Sequence, residues 1–184
     1  QAIVADLGRA AGAKIDAALA KAERNAMKEL DKVNARVAMT QVVQQLIVTG
    51  NSLLYIPKGK KMQVYSLRDY VIKRGVDGGT IKIILRDTKS VSGLPDHLHA
   101  IAMEQGYDHE ADVSLYTCIL RVSEGKFLVW QELEDIAYAQ DQVGHVDADD
   151  LEHIPLTWNL ARNKDYGTGL VENYAGDFWT MSTL

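Results

Sequence analysis

From Ile15 the apolar residues recur at Leu19, Ala22, Ala26, Leu30, Val33 and Val37, in steps of three and four. That spacing places them on one stripe of an α-helix. Lys21, Glu23, Arg24, Lys28, Glu29, Asp31, Lys32 and Arg36 fall on the opposite face, against water or a polar partner. Met39, Val42, Val43, Leu46 and Ile47 extend the apolar pattern to Gly50, a natural helix stop. Residues 1–50 therefore read as a helical segment: one long helix, or two joined near Thr40.

After Gly50 the period shortens, and residues 51–140 read as a β-rich region. Leu53–Ile56 and Met62–Tyr65 are expected strands separated by Pro57-Lys58-Gly59. Tyr70–Lys73 should pair with Thr80–Arg86 across Gly75-Val76-Asp77-Gly78-Gly79. A short helix is expected from Pro95, favoured at a first helical position, through Leu98, Ile101 and Ala102 to Gly106. Val113–Val122 and Lys126–Leu133 flank Ser123-Glu124-Gly125, a connection of hairpin length. The sheet is thus mainly antiparallel.

Residues 141–184 form the third segment. Asp141 to His153 is acidic and poor in large apolar groups, which reads as a surface loop. Ile154 to Leu160 reads as extended, and Gly169 onward as a helix with Leu170, Tyr174, Phe178 and Met181 along one face. The fold class is α+β: an N-terminal helical segment, a central mainly antiparallel β-sheet with a short helix, and the start of a C-terminal helical portion.

Composition narrows the function. With 47% hydrophobic and 24% charged residues among 184, the chain has globular make-up, and its net charge of −5 argues against a binder that neutralises many phosphates. The least charged run, Val37 to Pro57, carries Thr40, Gln41, Gln44, Gln45, Thr49 and Asn51, too polar for a lipid-facing span. No membrane association is expected. The opening Gln1-Ala2-Ile3 shows no signal peptide, and the missing initial Met with the stop at Leu184 reads as a piece of something longer. A single cysteine, Cys118, excludes an internal disulfide and reads as a small residue packed in a strand.

Candidate chemistry is thin. His97 and His99 lie two apart, with His109 ten further on and Asp96, Asp108 and Glu110 beside them. Residues two apart on a helix point to different sides, so His97 and His99 do not close on one ion. His145 and His153, in the acidic stretch, read as exposed polar residues. Neither Gly75–Gly79 nor Gly167–Gly169 is followed by the Lys-Ser or Lys-Thr pair of a phosphate-binding loop. Ser52 has Gly50 upstream but Leu54 downstream, which is not a nucleophile elbow. Glu132 and Glu134 would share one strand face, most simply an exposed edge. Trp130, Trp158 and Trp179 are not interleaved with basic residues and read as core or subunit contacts. No residue is singled out as catalytic, cofactor-binding or metal-ligating, and no cofactor is expected.

Ile154-Pro155-Leu156-Thr157-Trp158-Asn159-Leu160, Asp165-Tyr166-Gly167, and Gly169 through Phe178 together resemble a signature of the podovirus head-to-tail connector, or portal, family. Upstream, Thr49 to Pro57 resembles that family's entry from helix into sheet, and Tyr65 to Arg74 with Ile83 to Asp87 resemble its following strands. Thr168 stands where an arginine is common and Asn173 where an acidic residue is frequent, a departure that bears on charged contacts and not on the fold.

The resemblance implies a structural, non-enzymatic component of the virion: a ring of about a dozen identical subunits at the portal vertex, assembled in the host cytoplasm. Through it double-stranded DNA is packaged and ejected without sequence-specific binding, and its partners are the terminase packaging motor and the capsid and tail proteins. The rival readings are a metal-dependent hydrolase built on His97, His99 and His109, and a generic oligomeric adaptor.

Overall fold

The computed structural model describes residues 9–134 and 143–182. Gln1-Ala2-Ile3, the first two residues of the acidic stretch, Asp141 and Gln142, and the final Thr183 and Leu184 lie outside the described residues, as does the side chain of Phe178. The fold is α+β, as expected, and among the described residues it carries two antiparallel sheets where one was anticipated.

The helical segment forms α1 (Arg9–Lys32) and α2 (Ala35–Thr49). The break falls at Val33-Asn34 and not near Thr40. Asn34 adopts left-handed dihedrals (φ 60°, ψ 33°), which asparagine tolerates better than most residues. The Val33 carbonyl accepts a bond from Met62 N–H at 2.8 Å, a tertiary contact that no periodicity announces. Thr40 stays helical, its hydroxyl donating to Arg36 C=O at 2.9 Å.

The apolar stripe is divided by this break. Every described side chain from Lys14 to Lys32 is exposed except half-buried Ala20, so Ile15, Leu19 and Leu30 face solvent. On α2 the covered face is Ala35, Ala38 and Val42, while Val37, Met39, Val43 and Ile47 are exposed.

The smaller sheet has the order β2 (Gln63–Tyr65), β1 (Asn51–Tyr55), β8 (His153–Thr157). The larger runs β3 (Tyr70–Arg74), β4 (Thr80–Ser90), β5 (Asp112–Ser123), β6 (Lys126–Leu133), β7 (Gly144–Asp147). A short helix, α3 (Asp96–Glu104), joins β4 to β5. The acidic stretch is therefore not only loop: β7 extends the sheet by pairing Lys126 with Asp147 and Val129 with Gly144. Pairing there uses backbone groups alone, so it needs no apolar run. Pro155 is accommodated because β8 is an edge strand. At the C-terminal end two helices, α4 (Leu170–Asn173) and α5 (Ala175–Ser182), replace the single one expected. Tyr174 leaves helical dihedrals (φ −113°, ψ 17°) just before Ala175-Gly176, where glycine weakens helical propagation.

Packing follows from strand alternation. Leu53 of β1 faces the large sheet and joins Tyr70, Ile72, Ile83, Leu85, Ile119 and Phe127. Its neighbour Leu54 points the other way, onto Ala38 and Val42 of α2. The small sheet is thus a middle layer between helix and large sheet, which explains why β1 is buried on both faces. Further along β5, Val113 and Leu115 pack under Leu98 and Ala102 of α3. Buried Thr117 between these groups is satisfied by Gln131, whose Nε2 donates to its hydroxyl at 3.1 Å.

Ile119 is fully buried where β1 meets the large sheet. Its truncation to alanine is expected to lower unfolding stability by about 2–5 kcal/mol through lost burial and a residual cavity. Urea denaturation measures the shift.

Candidate functional site

The segments that carry the family resemblance, far apart in sequence, converge on one junction. Gly50 ends α2 with φ 73°, its N–H donating to Leu46 C=O at 3.0 Å, and the chain turns directly into β1. The first residue of β1, Asn51, is 2% exposed. Its Nδ2 donates to the carbonyls of Thr49 and Gly167, both at 2.7 Å, and its Oδ1 accepts from Gly167 N–H at 2.8 Å. One carboxamide thus satisfies both polar groups of the Gly167 residue, as a neighbouring strand would.

Glycine is required at the crossing because backbone lies on backbone. A Cβ on Gly169 would sit 2.5 Å from Val48 O, and one on Gly50 2.3 Å from the Thr168 carbonyl carbon. Two more bonds close the clasp: Trp158 N–H to Gly50 C=O and Thr168 N–H to Asn159 C=O, both at 2.9 Å. Thr168 therefore contributes its main chain here.

The same segment reaches the large sheet. β3 is an edge strand, and its outward N–H groups at Ile72 and Arg74 need acceptors. Ile72 N–H donates to the Tyr166 hydroxyl at 3.1 Å, and Arg74 N–H to Asp165 Oδ1 at 2.7 Å. Lys73 Nζ lies 3.0 Å from Asp165 Oδ2. The Arg74 guanidinium returns bonds to the carbonyls of Asp165 (3.1 Å) and Gly78 (3.0 Å). The Arg74 backbone bond, then Lys73, hold the Asp165 carboxyl below its ordinary range. The polar groups named at the junction satisfy one another.

The other candidates are dispersed. His99 Nε2 lies 3.3 Å from His109 Nδ1, whereas His97 is exposed on a different side of α3. Among the described residues no three His, Cys, Asp or Glu side chains gather as a metal site. His145 is exposed, but His153 is not a surface histidine: it is 9% exposed and stacks on Tyr55 with ring centroids 4.4 Å apart. The acidic composition around it concealed that it opens β8, where alternation turns it inward. Burial lowers its pKa to about 4. Glu132 accepts from Trp130 Nε1 at 2.5 Å, while Glu134 follows the last residue of β6 and its N–H donates to Ser114 C=O at 3.0 Å. Cys118 is buried in β5, and burial raises its thiol pKa. Gly75–Gly79 is a turn closed by Gly75 N–H to Gly79 C=O at 2.8 Å. Ser52 is fully buried and donates to Gln45 at 2.8 Å. Trp158 and Trp179 are 51% and 74% exposed, which removes them from the core.

A cleft of about 280 Å³ opens between the sheets, lined by Tyr55, Tyr65, Asp87, Gln131, Glu152 and His153 among others. Burial, followed by Asp87, raises the Tyr65 pKa, so the phenol stays protonated. Among the described residues no helix is long and apolar enough to cross a membrane.

The fold is α+β, and its most constrained residues bind the chain to itself. The chain belongs to the bacteriophage head to tail connecting protein family, whose model matches residues 4–184. It is 30% identical over 180 residues to the portal protein of Enterobacteria phage T3, and 29% identical over 180 to that of Escherichia phage T7; each match covers 94% of this chain and 33% of the relative. The portal protein of Pseudomonas phage phiKMV is 33% identical over 176 residues, covering 93% and 34%. The chain thus spans about a third of the length of these curated relatives.

Sequence reasoning located the junction's segments through the resemblance but not the roles of Asn51 and Arg74. Asn51 beside a helix-ending glycine was the available signal; for Arg74 there was none.

Two predictions follow from this geometry. Asn51→Leu leaves Gly167 N–H and two carbonyls without their partner, at roughly 1–3 kcal/mol per orphaned group, read as a lowered urea midpoint. His153 binds its proton more weakly folded than unfolded, so between pH 6.5 and about 4 only the unfolded chain is protonated. Its contribution is complete above pH 6.5 and falls as pH drops towards 4, by roughly 3 kcal/mol in full. His153→Phe should flatten the stability slope in that window, measured by denaturation at stepped pH.

Proposed function

We propose that this chain forms part of a ring-shaped portal at the head-to-tail junction of a tailed phage, a conduit for double-stranded DNA with no catalytic role. Residues 1–50 supply a projecting helical part, 51–140 the sheet body, and 141–184 the clasp that ties helix to sheets. The terminase motor, the capsid and the tail proteins are its partners in this reading, and the virion vertex its place after assembly in the host cytoplasm.

The observation that carries the reading, beside family membership, is α1. At 1.5 Å per residue its 24 residues extend about 36 Å, yet none of its described side chains belongs to a buried cluster. In proteins most helical stability comes from packing of an amphipathic face, and the stripe of Ile15, Leu19 and Leu30 is open for such packing. In a closed ring, repeated subunits cover an exposed apolar stripe of this kind with one surface used many times. The net charge of −5 suits a conduit, because like charge opposes the counterion-releasing contacts that would hold DNA in place.

The full-length chain should give a ring-sized mass in solution and rings with a central hole by electron microscopy. Leu19→Glu with Leu30→Glu, both at exposed positions, should leave the circular dichroism spectrum unchanged and reduce the assembled fraction about tenfold or more, as charge at the centre of an apolar contact does. A wild-type protein that remains a lone subunit sinks the reading; a variant that assembles fully removes α1 from the subunit contact.

A further inference from the structure

His99 and His109 are brought together by two elements that share no sequence periodicity. His99 sits on α3, where its N–H donates to Pro95 C=O at 2.9 Å and its neighbours Leu98 and Ala102 are held in the core. His109 lies on the return loop to β5. Its carbonyl accepts from Ser92 N–H at 3.0 Å, and the adjoining Asp108 accepts from Glu110 N–H at 2.9 Å through Oδ1 and from Ala111 N–H at 3.1 Å through its carbonyl. Both ring-bearing backbones are therefore fixed before any ligand arrives. The rings meet edge to face, 5.4 Å between centroids, with Nε2 of His99 3.3 Å from Nδ1 of His109.

That separation has chemical meaning. Two nitrogens each about 2.0–2.1 Å from one ion, at a tetrahedral angle, stand about 3.3 Å apart. We propose that His99 Nε2 and His109 Nδ1 form a two-imidazole chelate for a divalent transition cation such as Zn²⁺ or Ni²⁺. Binding needs a change of tautomer and a small rotation of the rings, so that both lone pairs turn from the N–N line onto the ion. In the free pair one nitrogen donates its proton to the other; with the ion between them both present lone pairs, and the protons reside on His99 Nδ1 and His109 Nε2.

Imidazole selects zinc, nickel and copper over magnesium and calcium, which prefer oxygen ligands. His109 is exposed and His99 half-buried, so the ion has a path in and keeps open positions for water. The site is thus an exchangeable surface chelate, distinct from a closed structural centre with four protein ligands. His97 takes no part, because it leaves α3 on another side.

The test is calorimetric titration of the metal-stripped full-length protein with Zn²⁺ and with Ni²⁺, using Mg²⁺ as comparison. The wild type should bind the transition ions and not Mg²⁺. His99→Ala and His109→Ala should each weaken binding by about tenfold or more, at least the loss seen when groups that merely orient a ligand are removed. His97→Ala should bind as the wild type does, and all three variants should keep the wild-type circular dichroism spectrum. Absence of binding by the wild type overturns the proposal, and so does unchanged affinity in either ligand variant or a loss that tracks His97 instead.

Discussion

The carboxamide of Asn51 against the Gly167 backbone is the contact on which the other layers depend. Asn51 is where α2 has just ended and the middle sheet begins, so its position fixes the angle between helix and sheet. Gly167 belongs to a segment that also bonds the edge of β3 through Tyr166 and Asp165. One buried side chain therefore registers three layers whose apolar surfaces could otherwise slide, since hydrophobic contact has no direction of its own. The glycines at positions 50, 167 and 169 are the steric condition for that contact.

Much of the architecture was legible because alternation and turn residues act locally. β6 carries the limits expected for it, and β5 and the short helix after Pro95 differ only at their ends. The division into two sheets was not legible, because pairing of β1 with β8 joins residues about a hundred positions apart and leaves no periodic trace. The kink at Asn34 was missed for a related reason: it is fixed by a bond from Met62. His153 and β7 were hidden by acidic neighbours whose composition describes the exposed side of the chain and says nothing of the inward one. Of the junction, the segments were visible as a resemblance, whereas the pairing of Arg74 with Asp165 required coordinates.

The distribution of apolar surface separates two tasks. The body buries Leu53, Ile83, Leu85, Leu115 and Ile119 almost completely. The described side chains of α1 bury nothing comparable, yet its sequence is as amphipathic as that of a packed helix. The burial that stabilises the body and the exposed apolar stripe thereby lie in different parts of the same chain.

The treatment of β3 has a corollary for solubility during synthesis. An open strand offers a template onto which any extended chain can add, and proteins made in many copies are especially vulnerable to such runaway polymerisation. Here Tyr166 and Asp165 occupy the donors that an incoming strand would seek, and at the far side of the sheet β7 is only four residues long. Growth by backbone templating is discouraged at both margins, so that contact between this sheet and another chain would have to be made by side chains, which can be selective where an open ladder cannot.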